Sequence, residues 1–92
     1  MAAKSSDFVR LEKFIDNGIG GYVDVYEFHA VVNGNYYIAR HEEYRGIVGH
    51  HYPVKDCSRD YGNNEYKRLK TNGYTFAGKY EMDILGYKTK QL

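Results

Sequence analysis

His41, His50, His51 and Cys57 are all zinc-ligand types and lie within seventeen residues of one another. A structural zinc site wants four ligands in a tetrahedron, usually supplied as tight pairs such as Cys-x2-Cys or His-x3-His. Here two histidines are adjacent, the thiol stands six residues past His51, and there is no second cysteine. Adjacent side chains on an extended chain point to opposite sides, so His50 and His51 are poor partners for one ion. The sequence predicts surface loop histidines and assigns no metal.

Cys57 with His50 or His51 has the composition of a thiol nucleophile and its base, and Lys55 and Arg59 are placed to lower the thiol's pKa. No elbow or oxyanion-type glycine signature surrounds it, however. Glu42-Glu43 and the pair Asp56 and Asp60 read as solvated loop charges rather than an acid/base couple. Gly18-Ile19-Gly20-Gly21 follows a predicted helix and precedes a strand, the reverse of the order that cradles a pyrophosphate. The expectation is a protein that is not an enzyme and holds no cofactor.

Binding chemistry is better represented. The chain has eleven Tyr, four Phe and no Trp, so most of its aromatic mass carries a hydroxyl. Such rings pack like Phe but want a partner or water at the tip, and exposed Tyr is enriched where proteins bind other molecules. Thirteen Lys and Arg against twelve Asp and Glu leave a formal charge of +1. A dedicated duplex-DNA binder carries a clear basic excess and a DNA mimic the opposite one, so both classes are disfavoured. Aromatic rings interleaved with basic side chains still suit a single strand, where bases stack and phosphates pair.

The elements that must position these residues are divided by Asn17-Gly18, Asn33-Gly34 and Asn72-Gly73, each a place where the backbone reverses or a helix stops. Ser5-Ser6-Asp7 offers N-caps for a helix from Phe8 to Ile15, with Phe8, Leu11 and Ile15 at helical spacing and Asn17-Gly18 ending it. Tyr22 to Val32 and Asn35 to Tyr44 read as a β-hairpin about Asn33-Gly34, placing Val31 opposite Tyr36 and Glu27 opposite Arg40. One face then carries Val23, Val25, His29, Val31, Tyr36, Ile38 and Tyr44. The other carries Tyr22, Tyr26, Phe28, Ala30, Val32, Tyr37 and Ala39. Both are substantially apolar, and two short helices are few to cover both, so one side is expected to stay open for docking.

Arg45 to Asp60 is predicted to be irregular, with a short strand at Gly46-Ile47-Val48-Gly49 and a polar loop at Lys55 to Asp60. Asn63 or Asn64 caps a second helix, Glu65 to Thr71, stopped by Asn72-Gly73. Tyr74 to Met82 alternates weakly as a strand, and Asp83 to Tyr87 suggests another. The fold class is therefore α+β: a mostly antiparallel sheet built around a β-hairpin and flanked by two short helices. Residues 1–92 form one domain, with 1–5 and 89–92 flexible.

One cysteine allows no internal disulfide, no apolar run spans a membrane, and no signal peptide is visible, so a cytoplasmic location is expected. Thirty of the 92 residues are Lys, Asn, Tyr or Ile. All four have AT-rich codons, as in many bacterial and phage genomes. The favoured expectation is a small phage-encoded binding protein that inhibits a host enzyme or defence complex. Its partner-binding residues are Tyr36, Arg40, Tyr44, Arg45, His50, His51 and Tyr52, since rings beside an Arg are typical anchors of interfaces. Exposed sheet would also allow a homodimer. The alternative is single-stranded RNA or DNA binding through Arg59, Tyr61, Lys67, Arg68 and Lys70.

Overall fold

Phe8–Ile15, where apolar spacing predicts a helix, is the strand β1. The computed structural model describes residues 8–30, 35–77, 80–82 and 87–89. Val9 and Leu11 are fully buried while Arg10 and Glu12, which alternate with them, are half-exposed, a period of two rather than 3.6. Val9 and Ile15 are β-branched, and β1 has pairing strands on both flanks. Sheet pairing thus outweighs a spacing that only resembles a helix. Asn17-Gly18 accordingly closes a hairpin instead of stopping a helix. The Asn17 side-chain oxygen accepts from the N–H groups of Ile19 and Gly21 at 3.0 and 2.9 Å, and Gly18, Gly20 and Gly21 take positive φ.

The remaining strands are β2 (Tyr22–Ala30), β3 (Tyr36–Tyr44), β4 (Ile47–His51), β5 (Lys55–Cys57) and β6 (Thr75–Phe76), with α1 (Arg59–Thr71) before β6. They form an antiparallel sheet of six strands in the order β4-β3-β2-β1-β6, with β5 also paired to β3. β7 (Tyr80–Met82) and β8 (Tyr87–Thr89) form a separate two-stranded ribbon. The class is α+β, with a single 13-residue helix among the described residues instead of the two short ones predicted. None of the described helical structure is long and apolar enough to cross a membrane.

The central hairpin forms, but its register is one residue from the predicted one. Ala30 faces Tyr36, and Glu27 faces Ala39 rather than Arg40. An odd slip exchanges the faces. Phe28 now shares a side with Tyr36 and Ile38, whereas Val25, Glu27 and His29 lie on the other with Tyr37 and His41. Asn33-Gly34, with Val31 and Val32, lies outside the described residues.

The stretch from Arg45 to Asp60 is more regular than predicted. Tyr44 pairs with Ile47 across Arg45-Gly46, whose φ values of 55° and 80° are those of a two-residue type I′ hairpin turn. The register shifts between Glu42 and Glu43, leaving Gly49 as the extra residue of a bulge on β4. A Cβ at Gly49 would sit 2.5 Å from the Tyr44 ring, so the ring occupies the side-chain space the glycine leaves. Pro53 then breaks the edge between β4 and β5, and the predicted polar loop at Lys55 to Asp60 is instead β5 followed by the start of α1.

α1 begins six residues earlier than the predicted Glu65. Ser58, not Asn63 or Asn64, is the N-cap, its hydroxyl accepting from the Tyr61 N–H at 3.1 Å. The helix buries Gly62, Asn63, Tyr66 and Leu69, one stripe at helical spacing. Asn72 and Gly73 end it as predicted, Gly73 at a φ of 93°. The stripe packs on Val9, Leu11, Phe28, Tyr36 and Ile38, with Phe28 and Tyr66 edge to face at 5.8 Å. The strand predicted from Tyr74 to Met82 appears as β6 and β7, and of the one predicted at Asp83 to Tyr87 only Tyr87, in β8, is described. Residues 1–5 and 90–92 lie outside the described set.

The sheet face away from α1 is not the apolar surface expected. Arg10 sends Nη1 and Nη2 to Glu43 at 3.1 and 3.0 Å, from β1 to β3 across β2. Val25, between them on β2, is 0% exposed. His41 Nε2 lies 2.7 Å from Glu43, His29 Nε2 lies 3.3 Å from Glu27, and the His29 ring stacks on Tyr37 at 4.4 Å. This face is roofed by its own charges.

Gly62 supplies a test of the helix–sheet contact. A Cβ there would meet Tyr36 Cδ2 at 2.3 Å. Alanine gains about 1 kcal/mol of helix propensity, but overpacking a core costs roughly 1–3 kcal/mol. Gly62→Ala should lower the urea midpoint, whereas the same change in an exposed helix would raise it.

Candidate functional site

Arg40 is the centre around which the surface residues gather. β3 carries it on the α1 side of the sheet, opposite Tyr26 and diagonal to Asp24 on β2. Asp24 is 2% exposed and accepts from Arg40 Nε at 3.0 Å and Nη2 at 3.1 Å, with the Tyr74 hydroxyl donating to the same carboxylate. The guanidinium carbon lies 5.1 Å from the Tyr26 ring centroid and 4.1 Å from that of Tyr52. A cation over aromatic faces and a bidentate carboxylate are both favourable for Arg, which is thereby fixed in one orientation. Burial and the hydrogen bond to Asp24 push the Tyr74 hydroxyl well above its ordinary pKa.

Glu42, one turn of the pleat further, accepts from the hydroxyls of Tyr44 and Tyr52. The Tyr44 bond first and the Tyr52 bond second hold its carboxyl below the ordinary value. In return the Tyr44 hydroxyl is pushed up to about 12, by its bond to Glu42 and then by burial. Tyr52 is thus tied at both ends, its ring on Arg40 and its hydroxyl on Glu42. It anchors the start of the link from β4 to β5.

Between that link and α1 lies a cleft of about 190 Å³. Ile38, Tyr26, Tyr52 and Tyr61 line it together with Arg40 and Lys55, and Pro53 and Glu65 complete the wall. Lys55 Nζ donates to the Tyr61 hydroxyl at 2.6 Å and lies 4.3 Å from that ring. Glu65 is held by Arg68 through bonds of 2.6 and 3.0 Å. Outside the cleft runs β4, all five of its residues exposed, with Ile47 at 72% and Val48 at 43%. Among the described residues β4 pairs with β3 alone, so its outward backbone groups face solvent.

The predicted partner-binding set is partly assembled here. Tyr44 is exposed, Arg45 is at the hairpin tip, His50 and His51 are exposed on β4, and Tyr52 and Arg40 are half-buried. Tyr36 does not belong: it is 2% exposed, in the core beneath α1. The register slip explains the error, because it turns Tyr36 and Ile38 toward the helix. The predicted pairing of Arg40 with Glu27 fails for the same reason, the two lying on opposite faces. His50 packs on Tyr52 at 4.5 Å and His51 on His41 at 6.0 Å, so the adjacent histidines do diverge.

Of the nucleic-acid set, Tyr61 lines the cleft, Arg59, Lys67 and Lys70 are exposed on α1, and Arg68 is committed to Glu65. Cys57 pairs with Tyr36 at the end of β5, where burial raises its thiol pKa. That is the opposite of activation. Among the described residues no three His, Cys, Asp or Glu side chains are grouped to hold a metal ion. Sequence reasoning passed over Tyr26, Lys55 and Glu65 as site residues, since only the true register and the early start of α1 bring them to Arg40. The apolar pair Ile47-Val48 was visible, but nothing marked its strand as an edge.

Comparisons with protein-family models, with curated proteins and with solved structures find no significant match to this chain.

The Glu42 contacts predict a pH dependence. A carboxyl whose folded pKa lies below its ordinary value of 4.5 adds stability above that value, lost as pH falls through the folded pKa. Glu27, Glu43 and Glu65 are shifted the same way by His29, Arg10 and Arg68. Stability should therefore decline below about pH 5. Changing Tyr44→Phe and Tyr52→Phe together should return the Glu42 carboxyl, followed by NMR titration, to the ordinary range.

Proposed function

We propose that this chain is a non-enzymatic binding protein that acts by protein–protein interaction, with β4 and its surroundings as the docking surface. The observation that carries the reading is the edge strand itself. Five residues of open ladder bear Ile47 and Val48 in solvent, flanked by Tyr44 and by Val54 at 59% exposure. Edges of this kind take up a partner's extended segment, whose main chain supplies affinity while alternate side chains supply specificity. A second copy of the chain could pair on the same edge. Arg45 at the hairpin tip and His50 beside Tyr52 give the surface polar contacts around its apolar strip, as interfaces commonly have. Inhibition of a host enzyme or defence complex by a phage-encoded protein is the wider form of the proposal. Its support is the small size and the Lys-, Asn-, Tyr- and Ile-rich composition.

A second reading, single-stranded nucleic-acid binding, draws on the Tyr-lined cleft with Arg40 and Lys55 at its margin and the exposed Lys67 and Lys70 nearby on α1. The two readings separate by salt and by site. Docking on β4 should survive nuclease treatment and be lost in the double variant Ile47→Lys, Val48→Lys, which remains folded because both side chains are exposed. Nuclease-sensitive capture with a steep salt dependence would favour the second reading.

The correction at Tyr36 also has a measurable form. Tyr44→Ala should weaken partner capture and cost less stability than Tyr36→Ala, which should cost about 3–5 kcal/mol as a buried aromatic. Chemical denaturation of the two variants distinguishes the surface residue from the core residue.

A further inference from the structure

We infer that the cleft beside Arg40 is a binding site for a single planar ring carrying an anionic group, such as an aromatic carboxylate. Its size sets the first limit. Pockets for drug-sized ligands start at about 300 Å³, whereas a cavity of about 150 Å³ is enough for benzene. At about 190 Å³ this cleft takes one ring. Its walls set the second: Tyr26, Tyr52, Tyr61 and Pro53 line it around Ile38. Rings prefer offset or edge-on contact with other rings, so a planar guest gains more here than a puckered one.

Charge sets the third limit. Arg40 uses Nε and Nη2 on Asp24, and among the described residues its Nη1 has no hydrogen-bond partner. Lys55 spends one N–H on Tyr61 and has two more. Glu65, the carboxylate of the lining, already accepts two bonds from Arg68. The free hydrogen-bonding capacity of the lining cations is therefore all donor. Arg40 is held by Asp24 and between two rings before any ligand arrives, so little ordering is needed on binding. The site is independent of docking on β4: it can be filled with β4 bare, and its probe is a small molecule.

Titration of the whole chain with phenylacetate, read by two-dimensional NMR, tests this. Saturable shifts should be confined to Tyr26, Ile38, Arg40, Tyr52, Lys55 and Tyr61. Phenylacetamide, which lacks the charge, and cyclohexylacetate, which lacks the planar ring, should each bind about tenfold or more weaker, a single charged contact or ring contact being worth roughly that factor. Lys55→Met should weaken phenylacetate to a similar degree and Tyr61→Ala should abolish saturation. Both positions are exposed, so the fold survives, and Lys67→Met serves as the unaffected control. N-acetylphenylalanine and its amide form a further arm: the acid binding as well as phenylacetate identifies a chain-terminal aromatic residue as an acceptable source, and its exclusion restricts the site to small aromatic acids without a peptide group. Absence of saturation, or equal binding of phenylacetamide or of cyclohexylacetate, would overturn the inference.

Discussion

The bidentate bond between Asp24 and Arg40 is the constraint on which the rest of this structure depends. A buried carboxylate is tolerated only when its charge is met and its lone pairs are filled. Asp24 meets that demand with Arg40 from β3 and the hydroxyl of Tyr74 from the segment after α1. Arg40 in turn gathers Tyr26 and Tyr52 on its faces. One ion pair thus ties the central hairpin, the edge of the sheet and the segment leaving the helix. Register is part of the same arrangement, since a slip of one residue would turn Arg40 to the other face and leave Asp24 without its cation.

The two faces of the sheet answer to different physics. Under α1 the contacts are apolar and close, with Phe28, Leu11 and Leu69 almost wholly enclosed. On the other face the long side chain of Arg10 reaches over Val25 to Glu43, and its methylenes and guanidinium do what a second helix would otherwise do. Among the described residues a single helix thus serves a sheet of six strands. Exposed apolar side chains remain at Ile47, Val48 and Val54 on one rim and at Phe14 and Ile19 by the β1–β2 turn.

Local chemistry was the most legible part of the sequence. Asn72-Gly73 stopped a helix because Gly accepts the positive φ required there, and the alternation of Tyr22 to Tyr44 marked two long strands. Non-local choices were not legible. Phe8, Leu11 and Ile15 fit a helical stripe, yet Val9 and Leu11 fit a strand equally well, and only the presence of β2 and β6 on either side decides between them. The register of the hairpin depends on which face Asp24 and Arg40 must share, a pairing across sixteen residues that no short window contains. The candidate site was legible to the same extent: Arg40, Tyr44 and Tyr52 stood out by type, Tyr36 lies in the core because of the slip, and Lys55 with Glu65 needed the fold to bring them near.

Pro53 limits what the open edge can become. It has no N–H to offer, and its ring fixes φ, so the ladder along β4 cannot continue past it toward β5. A guest strand is held to the length of Ile47–His51, five residues. The far edge of the sheet, β6, has two among the described residues. Growth of fibres by edge-to-edge addition needs two long, compatible borders on each subunit. If β4 is the docking edge, the five residues of that strand and the two described for β6 would favour complexes of fixed stoichiometry over polymers.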